Sequence, residues 1–246
     1  VLALSASLLV GCSSGTASSV PVSASSAAES TVSSVEETAS SAVDENEAAA
    51  AQLLNDLTGS YQELWPVILA DEYKQTWLDD CTALVGEDNA EAAFEKLSSM
   101  VTGDVYGEDA VKAYANGGGA YFCGFTNSLA ILTFDGETST ISGTDKDGNV
   151  LFSHTYHYIG MEPVRGLYEF QSDDADSGEF TYFFLAPDTS AETYHIEFRY
   201  GSDAEALSQY DTGEYAYWLA SGISTDCDQT MIDNCIELFC TENLAG

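Results

Sequence analysis

Apolar and polar positions alternate with three different rhythms along the chain. Over residues 52–116 the rhythm is helical. Leu53, Leu54 and Leu57, then Tyr61, Leu64, Trp65, Ile68 and Leu69, recur at three- and four-residue steps, as on one face of a helix. Pro66 fits a first turn, where its missing N–H is no loss. Trp77, Leu78, Cys81 and Leu84 continue to Gly86, a stop signal. Asp88 or Asn89 can cap a further helix with Ala92, Phe94, Leu97 and Met100 inside, ended by Gly103. A short helix over 108–114 leads to the triple glycine at 117–119.

From Ala120 the period becomes two. Strands are predicted over 121–125, 130–134, 138–144, 150–158, 167–171, 179–185 and 193–200, with turn chemistry between them at Asp135-Gly136, Asp147-Gly148 and 173–178. Seven or eight short antiparallel strands imply a closed barrel or a sandwich. After Gly201 the helical rhythm returns, over 204–210, 215–220 and 228–239. The last of these carries Met231, Ile232, Cys235, Ile236 and Phe239 on one face.

The first fifty residues follow none of these rhythms. Residues 1–10, VLALSASLLV, are too short to span a bilayer and read as the apolar part of a secretory signal whose start is missing. Gly11 and Cys12 complete a quartet with Leu9 and Val10 that resembles the lipobox of bacterial lipoproteins, which implies lipidation of Cys12. Residues 13–50 are Ser- and Ala-rich and carry no aromatic residue, so they read as a tether between that anchor and a domain over 51–246. The Ala-rich end, Glu47 to Ala51, runs toward the first helix. The anchor places the protein at the outer face of the cytoplasmic membrane, held there by lipid alone.

Charge narrows the function. Six Lys and Arg stand against 41 Asp and Glu, a net charge of −35. No basic stripe exists to displace counterions from nucleic acid, and an anionic membrane surface would repel the chain. No G-x-S-x-G, P-loop, G-x-G-x-x-G or H-E-x-x-H motif is present, so the chain reads as a binding protein and not an enzyme. Asp145 to Asn149 has a calcium-loop look, but Val150 and Tyr156 occupy the positions where an EF-hand needs Gly and Glu, so it is a hairpin turn. Apart from Cys12, the cysteines are Cys81, Cys123, Cys227, Cys235 and Cys240, without a C-x-x-C. They are buried thiols, or two of them form a disulfide; Cys235 and Cys240, five apart on one helix, cannot easily bridge.

The strand over 193–200 holds the best candidate chemistry. Side chains two apart share a face, so Thr193, His195, Glu197 and Arg199 lie together, opposite the core face of Tyr194, Ile196, Phe198 and Tyr200. His195 and Glu197 stand about 6–7 Å apart at Cα and can converge on one divalent ion. A third donor must come from Asp188, His157, His154 or the 173–176 loop. His154 and His157 point to opposite strand faces, and His157 is the better candidate.

Several segments resemble one family in order: LTGSYQELWPVIL (57–69), Tyr156-His157-Tyr158-Ile159-Gly160, HIEFRYG (195–201) and EYAYW (214–218) are similar to segments of the ZinT (YodA) family of bacterial zinc-binding proteins. The resemblance covers about residues 52–246. It implies a mainly β fold, a lipocalin-like (calycin) antiparallel barrel with helices before and after it. It also implies a single divalent-metal site and a role in extracytoplasmic zinc binding or delivery to an importer; His195 and Glu197 are expected to hold that ion at the barrel rim or interior. The family site has three His. Here His195 matches one, Glu197 stands at another, and the third position falls on or near Phe183, upstream of Ala186-Pro187. A small-ligand module of lipocalin type, or a cell-surface interaction domain, remains the alternative function.

Overall fold

In the computed structural model, which describes residues 45–116, 120–186, 193 and 195–245, eight antiparallel strands close into one barrel in simple chain order. They are β1 (Gly59–Glu63), β2 (Ile131–Asp135), β3 (Thr140–Thr144), β4 (Val150–Met161), β5 (Tyr168–Ser172), β6 (Tyr182–Leu185), β7 (His195–Gly201) and β8 (Ala220–Ser224). Because β1 pairs with β8 as well as β2, the sheet has no open edge. The helices are α1 (45–56), α2 (Leu64–Ile68), α3 (Lys74–Val85), α4 (Glu87–Val101), α5 (Glu108–Ala115), α6 (Ala204–Leu207) and α7 (Gln229–Leu244). The barrel flanked by helices is the architecture expected from the sequence. Among the described residues no helix is long and apolar enough to cross a membrane.

The two strands that close the barrel are the ones the hydrophobic rhythm misses. Residues 59–63 were expected inside a helix. They instead form β1, where Tyr61 alone is buried and faces Leu132 and Ser224 across its two neighbours. The apparent helical spacing of Leu57, Tyr61 and Trp65 links three successive elements. At the other end, the helix expected over 215–220 gives way to turns and then to β8, whose sequence Ala-Ser-Gly-Ile-Ser carries no strong strand signal. The backbone at Gly222 is crowded; a Cβ there would lie 3.1 Å from Ile196 Cγ1. Residues 121–125, expected as a strand, make only isolated bridges from Phe122 to Thr102 and Trp218.

Other expectations hold with small shifts. α3 ends at Gly86, whose φ of 85° suits glycine. That same Gly86 is the N-cap of α4, so neither Asp88 nor Asn89 caps it. The buried stripe of α4 is Ala90, Ala93, Leu97 and Val101, rotated from the expected Ala92, Phe94, Leu97 and Met100. Phe94 instead leans half-buried against Trp77. Asp228 caps α7 by accepting from Met231 N–H.

Two cores result. Rings from successive strands fill the barrel: Phe183, Phe198 and Tyr200 stack on one another, and Phe152 lies against Phe180 with centroids 4.0 Å apart. Ala50, Leu53, Leu54 and Leu57, at the i, i+3, i+4, i+7 spacing of one helix face, add α1 and the residue after it to this core. The second core lies outside the barrel. There α2, α3, α4 and α7 bring Trp65, Ile68, Trp77, Leu97 and Ile236 together against the outward Ile223 of β8.

Candidate metal site on the outer face of β7

β7 is buried on both faces. Ile196, Phe198 and Tyr200 point into the barrel, as the alternation requires. His195, Glu197 and Arg199 therefore point outward, where His195 pairs in register with Ile223 and Glu197 with Ser221. This corrects the expectation of a site at the rim or interior: aromatic rings occupy the interior, and the outward face of β7 meets the helical layer.

His195 and Glu197 are half-buried, with neighbours from three elements. Thr193 Oγ1 lies 2.6 Å from His195 Nδ1. With the proton on Nδ1, the ring donates to that hydroxyl, and Nε2 carries the lone pair that a metal would take. From α7, the Cys235 thiol donates to the Thr193 carbonyl at 3.2 Å. The 122–124 segment is held along the start of β8 by Leu219 N–H to Phe122 O and Ser221 N–H to Cys123 O. This brings the Cys123 thiol near Glu197. Burial first, and the Glu197 carboxylate second, push that thiol up to about 12, so it is neutral at physiological pH. A cleft of about 320 Å³ lined by Trp65, Val101, Phe122 and Cys123 opens on this side of the barrel.

The other expected donors fall elsewhere. Asp188 lies outside the described residues. Ala186, at the end of β6, donates its N–H to Glu197 O at 2.9 Å. His157 is not brought to the pair: its row runs through Gln171 and Tyr182 to Gly201. Three inter-strand steps, with β5 and β6 between, separate it from β7, roughly 14 Å, and Gly201 is six positions along that strand from His195. His157 is exposed and bonds Asp173 at 2.6 Å, while His154, on the inward face beside Phe152, bonds Asp174 at 2.7 Å. Phe183 faces Tyr200 inside the barrel, so the outward side chains beside it on β6 are Tyr182, opposite Gly201, and Phe184, opposite Arg199. Among the described residues, no three His, Cys, Asp or Glu side chains come together to hold a metal ion. Cys12 lies outside the described residues.

Sequence reasoning placed Thr193 on the right face but missed Cys123 as a neighbour. No spacing signal links Cys123 to β7; only the bridge between 122–124 and β8 does.

Arg199 completes the outward row. It is fully buried, donates to the carbonyls of Leu207, Gln209 and Tyr215, and stacks on Tyr210 with its guanidinium carbon 4.3 Å from the ring centroid. Arg165 takes a similar place at 4.5 Å from the same ring. Glu162, also fully buried, accepts from the backbone N–H groups of Val164 and Arg165 and from Tyr210 Oη.

No family model matches the sequence, and no curated protein does. Among solved structures, the fold is similar to the Zn(II)-bound ZinT-like domain of Streptococcus pneumoniae AdcA. Identity is 15% and the TM-score 0.46, over 73% of this chain and 87% of that one. It is similar also to Zn(II)-bound AdcA of the same organism, at 13% identity and a TM-score of 0.43. That match covers 74% of this chain and 34% of the other, so the chain spans about a third of that protein.

Proposed function

We propose that the chain captures zinc, or a similar divalent ion, as cargo outside the cytoplasmic membrane and passes it to a metal importer. The observation that carries this reading is the pair His195 and Glu197, half-buried on one face of β7, with Thr193 Oγ1 at His195 Nδ1. A neutral imidazole and a carboxylate two residues apart are the donor types that Zn²⁺ takes near 2.0–2.2 Å. A third protein donor, for which Asp188 is the candidate, and water complete the shell. A carboxylate in place of a second imidazole hardens the site, so Mn²⁺ competes better than it would at three histidines. Diacylglyceryl at Cys12 holds the protein at the membrane, since two acyl chains anchor stably where one does not.

Calorimetric titration of metal-stripped protein with Zn²⁺ and Mn²⁺ tests the site. Wild type binds one equivalent at low and at physiological salt, and His195→Ala and Glu197→Ala each lose about tenfold or more in affinity. Binding that vanishes at physiological salt, or two variants that bind like wild type, sinks the reading. Labelled fatty acid should enter the wild type and not Cys12→Ala; label in the variant would remove the anchor from it.

A further inference from the structure

The Sγ atoms of Cys81 and Cys240 lie 3.9 Å apart, although the two residues are 159 positions apart in the chain. Both are fully buried where α3 packs on α7. The approach follows from helix geometry. Trp77 and Cys81 are four apart on the buried stripe of α3, and Ile236 and Cys240 are four apart on that of α7, so the two stripes set sulfur against sulfur. Rings close the surroundings: Trp77 packs on Phe94 and, edge to face, on Phe239. The other described thiols are placed differently. Cys123 sits behind β8, Cys235 donates to Thr193 O, and Cys227 is half-buried before α7.

We propose that Cys81 and Cys240 form a disulfide in an oxidising compartment, joining the C-terminal helix α7 to α3. The oxidant is a disulfide, of the glutathione or oxidoreductase class. One protein thiolate attacks a sulfur of that disulfide, which forms a mixed disulfide and expels one thiolate of the oxidant. The second protein thiolate attacks the protein sulfur of the mixed disulfide and expels the other. Two electrons pass from the cysteine pair to the oxidant, and the two thiol protons end on the two expelled sulfurs. Burial raises both protein thiols above their ordinary range and covers them. Exchange therefore proceeds during folding or on opening of α7, and mild denaturant accelerates it. The cross-link closes a long loop, the case in which restriction of the unfolded chain is largest.

The test uses the full chain, held in oxidised glutathione or in reduced glutathione, then denatured, alkylated, digested and weighed. The expected oxidised product joins the Cys81 and Cys240 peptides with loss of two hydrogens, while Cys123, Cys227 and Cys235 are alkylated. Its thermal midpoint exceeds that of the reduced form by about 5–10 °C. Cys240→Ala shows the same midpoint in both buffers, which separates the cross-link from any packing cost of the substitution. Full alkylation of Cys81 and Cys240 after the oxidising incubation overturns the proposal, as does a cross-link that joins Cys227 to Cys235 instead.

Discussion

Arg199 sits two residues beyond Glu197 on β7, wholly buried, with its charge met by three backbone carbonyls and the face of Tyr210. That planar fork is what a lysine lacks. Arg199→Lys should cost about 2–4 kcal/mol, since carbonyls accepting from a charged donor are left unpaired in an apolar setting; urea unfolding measures it. Tyr200 makes a comparable tie, accepting from Thr126 N–H at 2.6 Å and from Thr126 Oγ1 at 3.0 Å while donating to Thr126 O at 2.9 Å. At the candidate metal site the residue to change is Thr193. Thr193→Val keeps the shape and removes the hydroxyl at His195 Nδ1, so zinc affinity should fall about 10–100-fold with little change in fold stability. An unchanged affinity would detach Thr193 from the site. The imidazole must be neutral to bind, so zinc affinity should also fall as the solution is made acid.

At the scale of elements, α1 and the β2–β3 hairpin meet backbone to backbone. A Cβ on Gly136, in the turn between β2 and β3, would lie 2.4 Å from Asn55 Cα and 2.6 Å from Leu54 O. Gly136 N–H also donates to Thr58 Oγ1 at 3.0 Å. Gly136→Ala must push α1 off the barrel, which should cost about 1–3 kcal/mol in urea unfolding. Because β7 and α7 lie elsewhere, zinc titration of the same variant should match wild type. Loss of binding would tie α1 to the site.

For the whole molecule, burial of tyrosines sets the alkaline limit. Desolvation lifts Tyr114 and Tyr215 to about 12 and raises Tyr156, Tyr200 and Tyr210 further. These groups stay protonated in the folded state after their unfolded counterparts ionise near pH 10. Above that pH the unfolded chain binds fewer protons than the folded one, so stability is full below about pH 10 and falls as pH rises toward the folded values. Urea midpoints measured from pH 8 to pH 11, with tyrosinate absorbance as the second signal, should show the loss and the late-ionising group together. The net charge of −35 acts at the same scale. Self-repulsion should make the urea midpoint rise between about 10 mM and 200 mM salt, while capture of a cation slows over the same range.

The sequence by itself determined most of the barrel's middle strands, the ends of α3 and α5, and the face that His195 and Glu197 share. Each of these rests on local physics: alternation on a strand, glycine at a helix end, the two-residue repeat of β7. Where that face points was a tertiary matter. Phe134, Phe152, Phe170, Phe183, Phe198 and Tyr200 pack inside the barrel with aliphatic neighbours, so the polar face of β7 had to turn outward against α7 and the 122–124 segment. Barrel closure was tertiary as well. β1 has one buried side chain and β8 is small residues except for Ile223, and what makes them strands is pairing with each other and with neighbours far away in the chain. Cys123 beside Glu197, and Cys81 beside Cys240, belong to the same class. A contact across long stretches of chain leaves no period in the sequence, because only the packing of separate elements brings its two sides together.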